Sequence, residues 1–175
     1  MSEPEVWLRG PVPDVQPLLQ PVAHSLLQCR HEFRATVLSL TPAQLSARPG
    51  GGASASFHAR HAIGSLDRLL TYARGESLTP PQLDALAREA VAGGAEDVAS
   101  RLVADFDAAV EGALGQLHAT PESALLEPRA VGRARLPSTV IGLLFHAAEH
   151  TQRHVGQLVT IARVVRAGAA TSGPG

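Results

Sequence analysis

Three histidines near the C-terminal end of the chain, His146, His150 and His154, are spaced four residues apart. Residues four apart on a helix lie on one face, so two imidazoles at this spacing can converge on a single ion. Imidazole is the commonest metal ligand among side chains, and it suits zinc, nickel, copper and iron. The spacing therefore predicts a metal-binding helix.

A helical wheel of residues 138–166 indicates which of these histidines face inward. The apolar residues cluster in a sector about 60° wide; His154 falls inside it, His150 about 20° outside it and His146 about 60° beyond it. Buried imidazoles need partners for their ring nitrogens, and a shared metal ion supplies one to His150 and His154. The alternative is that each is an ordinary core histidine, hydrogen-bonded to a side chain or to water.

A two-histidine site needs at least one more ligand, and residues 57–68 contain two further histidines. On the wheel of this segment, His58 lies nearer the apolar stripe than His61 does. Spacing alone therefore favours His58 as the third ligand. Asp67 and Arg68 are interpreted as solvated charges, which is the usual state of these residue types.

Helical periodicity dominates the chain, and glycine and proline separate the periodic segments. The long segments are 17–40, 54–75, 95–118 and 138–166. Thr41 and Thr79 each precede a proline and are followed three residues later by glutamine, which predicts two short capped helices. Residues 122–137 have no sustained period and are predicted to form a long loop. The expected fold is all-α, a four-helix bundle with short connecting helices and an open choice of topology.

The boundaries of these segments follow from local signals. Ser54 or Ser56 is the expected N-cap of the second long helix, and Gly75 is its expected C-terminal stop. The second short helix is predicted to break at Gly93 and Gly94. The predicted organisation is an N-terminal extension, the bundle and a flexible tail, at residues 1–16, 17–166 and 167–175.

The composition excludes several classes of function. Lys plus Arg total 15 against 16 Asp plus Glu, and aromatic residues make up 3% of the 175 residues. Neither a basic field nor a base-stacking surface is present, so nucleic acid and membrane are not expected partners. The single cysteine, Cys29, cannot form an internal disulfide and lies in an apolar helical stripe, which predicts a buried thiol. No signal peptide or membrane-spanning run is recognisable, so a cytoplasmic location is expected.

Two blocks of the chain resemble the DinB/YfiT-like superfamily of metal-binding four-helix bundles. Residues 149–157, Glu-His-Thr-Gln-Arg-His-Val-Gly-Gln, are similar to the family's His-x-x-x-His-x-Gly-Gln ending. Residues 51–62 resemble the loop-to-helix segment whose final histidine binds the metal, although Ala53 stands where the family often has tryptophan. The resemblance covers 17–166. It implies His61, His150 and His154 as ligands, and His58 and His146 as residues that line the pocket.

Three histidine ligands leave a coordination position open, which is the pattern of catalytic metal sites. Such an ion can supply hydroxide near neutral pH or bind a thiol as thiolate. The resemblance implies a metal-dependent thiol S-transferase or hydrolase for a small electrophilic substrate, with zinc, nickel or iron as the metal and a low-molecular-weight thiol as a partner. The alternative is a non-catalytic bundle with a structural or vestigial metal site that acts as a dimeric binding protein. A homodimer is compatible with both.

The remaining catalytic roles are less constrained by the sequence. Glu149 adjoins a ligand but points away from the bundle on the wheel, so it is not assigned as a general base. Arg60, Arg68 and Arg153 are either solvated or available to bind a substrate carboxylate. A further hypothesis places the 122–137 loop, with its arginines, at the mouth of the pocket.

Overall fold

A computed structural model describes residues 4–89 and 98–171 of the chain. Its elements are α1 (Gln20–Leu38), α2 (Pro42–Ser46), α3 (Ala55–Ala73), α4 (Pro80–Arg88), α5 (Ala99–Ala119), β1 (Pro128–Val131), β2 (Leu136–Thr139) and α6 (Val140–Thr171). Short 3₁₀ turns lie at Val6–Leu8, Pro17–Leu19, Pro49–Gly51 and Glu122–Ala124. The long helices α1, α3, α5 and α6 form the predicted all-α four-helix bundle, and α2 and α4 are the predicted short connecting helices.

Local hydrogen bonds set several of the predicted boundaries. Thr41 and Gln44 form the expected capping box, in which each side chain bonds to the backbone N–H of the other residue. The Ser54 hydroxyl accepts from the Phe57 N–H, which decides between the two candidate N-caps of α3. After the last turn of α3, Gly75 adopts φ +80° and its N–H donates to the Tyr72 carbonyl. This left-handed conformation is readily available only to glycine and ends the helix.

The four long helices run in two parallel pairs. The Arg30–Glu111 and Arg34–Asp107 ion pairs show that α1 and α5 are antiparallel. The end of α3 lies beside the end of α5, because the Gln116 side chain donates to the Leu70 carbonyl at 3.1 Å. Residues just before α6 also lie at this end, where Arg129 donates to the Ala73 carbonyl. Therefore α1 and α6 run one way, α3 and α5 run the other, and α4 returns along α3.

The core fills the space between the long helices. The rings of Phe33 in α1 and Phe106 in α5 stack with centroids 4.1 Å apart, and both side chains are buried. The inward face of α6 follows the predicted stripe at Val140, Leu143 and Leu158. Before α1, residues 4–16 pack against the bundle, since the Val6 N–H donates to the Gln28 side chain. Among the described residues, no helix has both the length and the apolar character that a bilayer crossing requires.

Cys29 is buried in α1, as the sequence predicted. Burial raises the pKa of its thiol to about 12, with the nearby Glu32 carboxylate adding to the effect. A thiol with that pKa is protonated at pH 8, and only the thiolate is an effective nucleophile. We therefore expect no reaction of the native protein with a disulfide reagent at pH 8 and stoichiometric reaction after unfolding in guanidinium. Rapid modification of the folded chain would contradict this assignment.

The structure differs from the predicted elements in two places. Part of the predicted loop 122–137 is an antiparallel hairpin, in which Pro128 pairs with Thr139 and Val131 with Leu136. Strands this short, with a proline in each, carry too little periodicity to be recognised. Helix α6 continues to Thr171, through part of the predicted tail 167–175. The predicted break at Gly93 and Gly94 lies outside the described residues.

Candidate metal centre

Helices α3 and α6 bring three of the predicted histidines together. His61 comes from the first half of α3, and His150 and His154 from successive turns of α6. One ring nitrogen from each lies within 4.8 Å of the others, so the group could hold a metal ion. All three side chains are half-buried. The ligand set implied by the family resemblance is therefore the set that the fold brings together.

The spacing of the nitrogens fits a metal ion. Nε2 of His61 and Nε2 of His150 are 3.0 Å apart. Two nitrogens bound to one tetrahedral zinc ion at about 2.0–2.1 Å are separated by about 3.3 Å, so the two imidazoles are already close to the spacing of neighbouring ligands. The His154 ring lies close to both, with centroids 4.3 Å from His61 and 4.6 Å from His150. The donor set, three imidazoles, suits zinc, nickel and iron.

A buried carboxylate holds the other side of the His61 ring. Oε2 of Glu89, at the end of α4, lies 2.7 Å from Nδ1 of His61. The same carboxylate accepts two hydrogen bonds from the guanidinium of Arg68, at 2.5 and 3.3 Å. A carboxylate can only accept, so neutral His61 carries its proton on Nδ1 and leaves the Nε2 lone pair facing His150.

A second histidine holds the ring of His154. Nδ1 of His58 lies 3.0 Å from Nδ1 of His154, and His58 is buried. His58, which the helical wheel favoured as a ligand, is therefore placed behind one. When the His154 Nδ1–H donates to His58, the Nε2 lone pair of His154 is free for an ion. His58 and Glu89 thus contact His154 and His61 through the same kind of ring atom.

His150 has an unpaired nitrogen. Its Nδ1 is one of the few buried side-chain polar atoms in the described part of the chain for which no hydrogen-bond partner is found. Buried polar atoms are normally satisfied, so an unsatisfied one calls for an explanation. The other ring nitrogen of His150, Nε2, contacts Nε2 of His61 at the centre of the cluster.

Burial and mutual repulsion lower the pKa values of His58, His150 and His154. Desolvation, followed by the charges of His61 and His150, lowers the pKa of His154 to about 4. Desolvation and His61 also lower the pKa values of His58 and His150. Burial opposes ionisation of Glu89, but hydrogen bonds from His61 and Arg68 outweigh it and lower the pKa of this carboxyl. His150 and His154 are therefore neutral at neutral pH, and the neutral imidazole is the form that binds metals.

The other candidates on α6 lie outside the cluster. The His146 side chain is 50% exposed and its Nδ1 lies 3.3 Å from the Glu149 carboxylate. Glu149 also pairs with Arg153 and faces away from the bundle, as the wheel predicted. Gly156 does not serve a close approach, because a Cβ built there would meet nothing within 4 Å.

Two other hypotheses about charged residues are wrong. Arg68, interpreted as solvated, is buried against Glu89, whereas Asp67 is exposed as expected. The hairpin does not reach the site: Arg129 bonds to Ala73, which is about 18 Å along α3 from His61. The hairpin directly precedes α6, and because α6 packs antiparallel to α3, it lies at the end of α3 far from His61.

Glu89 is the functional residue that the sequence analysis missed. It lies at the end of a short helix, 28 residues from the histidine that it contacts. No spacing rule links the two positions, since their contact arises only when α4 returns along α3. The one available signal is Gly64, a helical glycine one turn after His61, whose significance becomes clear only with the carboxylate in place.

Together these features define a class: a four-helix bundle with a half-buried three-histidine cluster between two of its helices. The chain belongs to the DinB superfamily, whose sequence profile matches residues 25–158. A solved crystal structure of a protein assigned to the DinB family, from Exiguobacterium sibiricum 255-15, has a similar fold, with a TM-score of 0.66 at 18% identity. The similarity covers 86% of this chain and 93% of that chain. No curated protein matches the chain.

Proposed function

We propose that this protein binds one divalent metal ion through His61, His150 and His154 and is a metal-dependent enzyme for a small electrophilic substrate. The observation that supports the proposal is the convergence of three ring nitrogens within 4.8 Å. Three protein ligands leave room for an exchangeable fourth, which distinguishes catalytic zinc sites from closed structural ones. A divalent ion held there would act as a Lewis acid and lower the pKa of a bound thiol or water.

Within this proposal, transfer of a low-molecular-weight thiol is favoured over hydrolysis. The protein's own thiol, Cys29, is buried and has a raised pKa, so a sulfur nucleophile must come from outside. Of the carboxylates near the ligands in the described ranges, Glu89 is engaged by Arg68 and His61, and Glu149 faces outward. Neither is placed to deprotonate a nucleophile. A thiol has a lower intrinsic pKa than water and needs a base less.

In the transfer reaction, the thiol sulfur forms a bond to the electrophilic carbon while the leaving group departs with its electron pair. The thiol proton passes to solvent. The chain contributes the histidine cluster between α3 and α6 and the fixed orientation of its imidazoles. His58 and Glu89 keep two of those rings from rotating away, which preserves the geometry between turnovers.

Turnover should depend on the metal and on the cluster. We expect the purified protein to transfer a thiol to an aryl halide or epoxide, with activity lost in chelator and restored by zinc, nickel or ferrous iron. His154→Ala should be inactive, whereas His146→Ala should retain activity because its ring is exposed and paired with Glu149. Product formation followed by mass spectrometry checks this.

The same screen separates the alternatives. Metal-dependent cleavage of an ester or amide without thiol would replace the transferase by a hydrolase. Stoichiometric metal without turnover of any substrate would favour the non-catalytic binding protein. Activity that is insensitive to chelator and unchanged in His154→Ala would overturn the proposal.

A further inference from the structure

Glu89 is a buried carboxylate next to the cluster, and it is not one of the three proposed ligands. Only 7% of its surface is exposed. It lies between a cation, Arg68, and an imidazole, His61, both contributed by α3. A charge is seldom buried without a function or a structural need, and Glu89 directly contacts the ring that faces the other histidines.

We propose that Glu89 is a positioning residue of the metal centre: it holds His61 in the tautomer and orientation that direct Nε2 toward His150 and His154. This inference rests on the proposed metal site. The hydrogen bond at Nδ1 leaves Nε2 as the only nitrogen of His61 able to bind an ion. It also restrains rotation of the ring about its Cβ–Cγ bond.

The position of Glu89 is itself determined by two residues of α3. Arg68 donates hydrogen bonds to both carboxylate oxygens, so the carboxylate plane cannot turn without breaking an ionic hydrogen bond. Gly64, one turn before Arg68, provides the space. A Cβ built on Gly64 would lie 2.4 Å from Oε1 of Glu89 and 2.8 Å from the Arg68 guanidinium. A side chain at position 64 would therefore force the carboxylate, the guanidinium or both to shift, and we expect this to disturb the contact with His61.

This arrangement allows Glu89 to be moved without being mutated. Gly64→Ala leaves all three histidines, Arg68 and Glu89 in the sequence but removes the space in which the carboxylate packs. Glu89→Ala removes the acceptor altogether, and Glu89→Gln keeps an oxygen that can accept from Nδ1 of His61. A matched control is Gly112→Ala in α5, since a Cβ there would meet nothing within 4 Å.

The direct test is the tautomer of His61 in the metal-free protein, measured by two-dimensional NMR of ¹⁵N-histidine-labelled chain. We expect the Nδ1–H form in the wild type, in Glu89→Gln and in Gly112→Ala. Glu89→Ala and Gly64→Ala should lose this preference. Zinc affinity, measured by competition with a chromogenic chelator, should fall about 10–100-fold in these two variants and stay close to wild type in the other two.

An unchanged His61 tautomer and unchanged zinc affinity in folded Glu89→Ala or Gly64→Ala would overturn the inference. Equal losses in Glu89→Gln and Glu89→Ala would also contradict it, because the acceptor would then be irrelevant. Circular dichroism establishes that each variant is folded, and Gly64→Ala serves if Glu89→Ala is not. A wild-type protein that binds no zinc would defeat the proposed function instead, while the tautomer measurement would still report on Glu89.

Discussion

Replacing either His150 or His154 by alanine should reduce the metal content of the purified protein from about one ion per chain to background. Each variant removes one of three converging nitrogens and leaves a pair that cannot enclose the ion. The loss of affinity should exceed the ~100-fold expected for the loss of an outer partner, because a direct bond to the ion is removed. Elemental analysis after purification without added metal, followed by titration with zinc, measures both quantities.

The matched control is His146→Ala. His146 lies one turn before His150 on the same helix, with ring centroids 5.4 Å apart, but it is exposed and outside the cluster. We expect its metal content and affinity to match the wild type. If His146→Ala lost metal as completely as His154→Ala, or if His154→Ala kept it, the ligand assignment would be wrong.

Metal binding should also raise the thermal stability of the protein substantially. A ligand that binds only the folded state stabilises it by about 4 kcal/mol when its free concentration is about 1,000 times the Kd. For a domain of this size each kcal/mol raises the Tm by roughly 2–4 °C, so the expected increase is about 8–16 °C. Scanning calorimetry with excess zinc and with chelator gives the difference directly.

Variants of the cluster test whether the zinc-dependent increase in Tm arises from the three histidines. In His154→Ala the Tm should be nearly the same with zinc and with chelator, whereas His146→Ala should show the full wild-type difference. A zinc-dependent increase that persisted in His154→Ala would mean that the ion stabilises the chain from another site. A wild-type Tm insensitive to metal would argue against any tight binding to the folded state.

The histidine pair of α6 was predictable because one helix contains both residues. Helical geometry alone relates positions 150 and 154, so a wheel gives their common face and predicts that Glu149 points away. The same reasoning located the buried face of α1, including Cys29. These features depend on local periodicity, which the sequence carries explicitly.

The third member of the cluster required more than periodicity. His58 and His61 are three residues apart and both face α6, so the wheel of α3 distinguishes them poorly. The more buried of the two, His58, contacts His154 from behind, whereas His61 reaches the centre of the cluster. The burial of a histidine is therefore a weaker indicator of membership of the cluster than the reach of its ring into the space between the helices. The family resemblance implied His61 as a ligand, and His61 is the residue that lies with His150 and His154 in the cluster.

Tertiary contacts at the ends of elements could not be predicted. Arg68 is buried only because Glu89 meets it, and Glu89 meets it only because α4 runs back along α3. From the sequence alone, charged residues such as Arg68 and Glu89 are expected at the surface. The β1–β2 hairpin is a similar case, since its strands are defined by pairing with each other and carry almost no periodic signal.

The three histidines lie far apart along the chain, so the proposed metal loading would depend on how the helices assemble. Two of them are adjacent on one helix and meet as soon as that helix forms, but His61 is 89 residues away from His150. In a nascent or partly opened chain, only His150 and His154 would be available to an ion, and two ligands would bind it weakly. Under the proposed metal binding, tight loading would begin when α3 docks on α6, and release of the ion would report separation of those two helices.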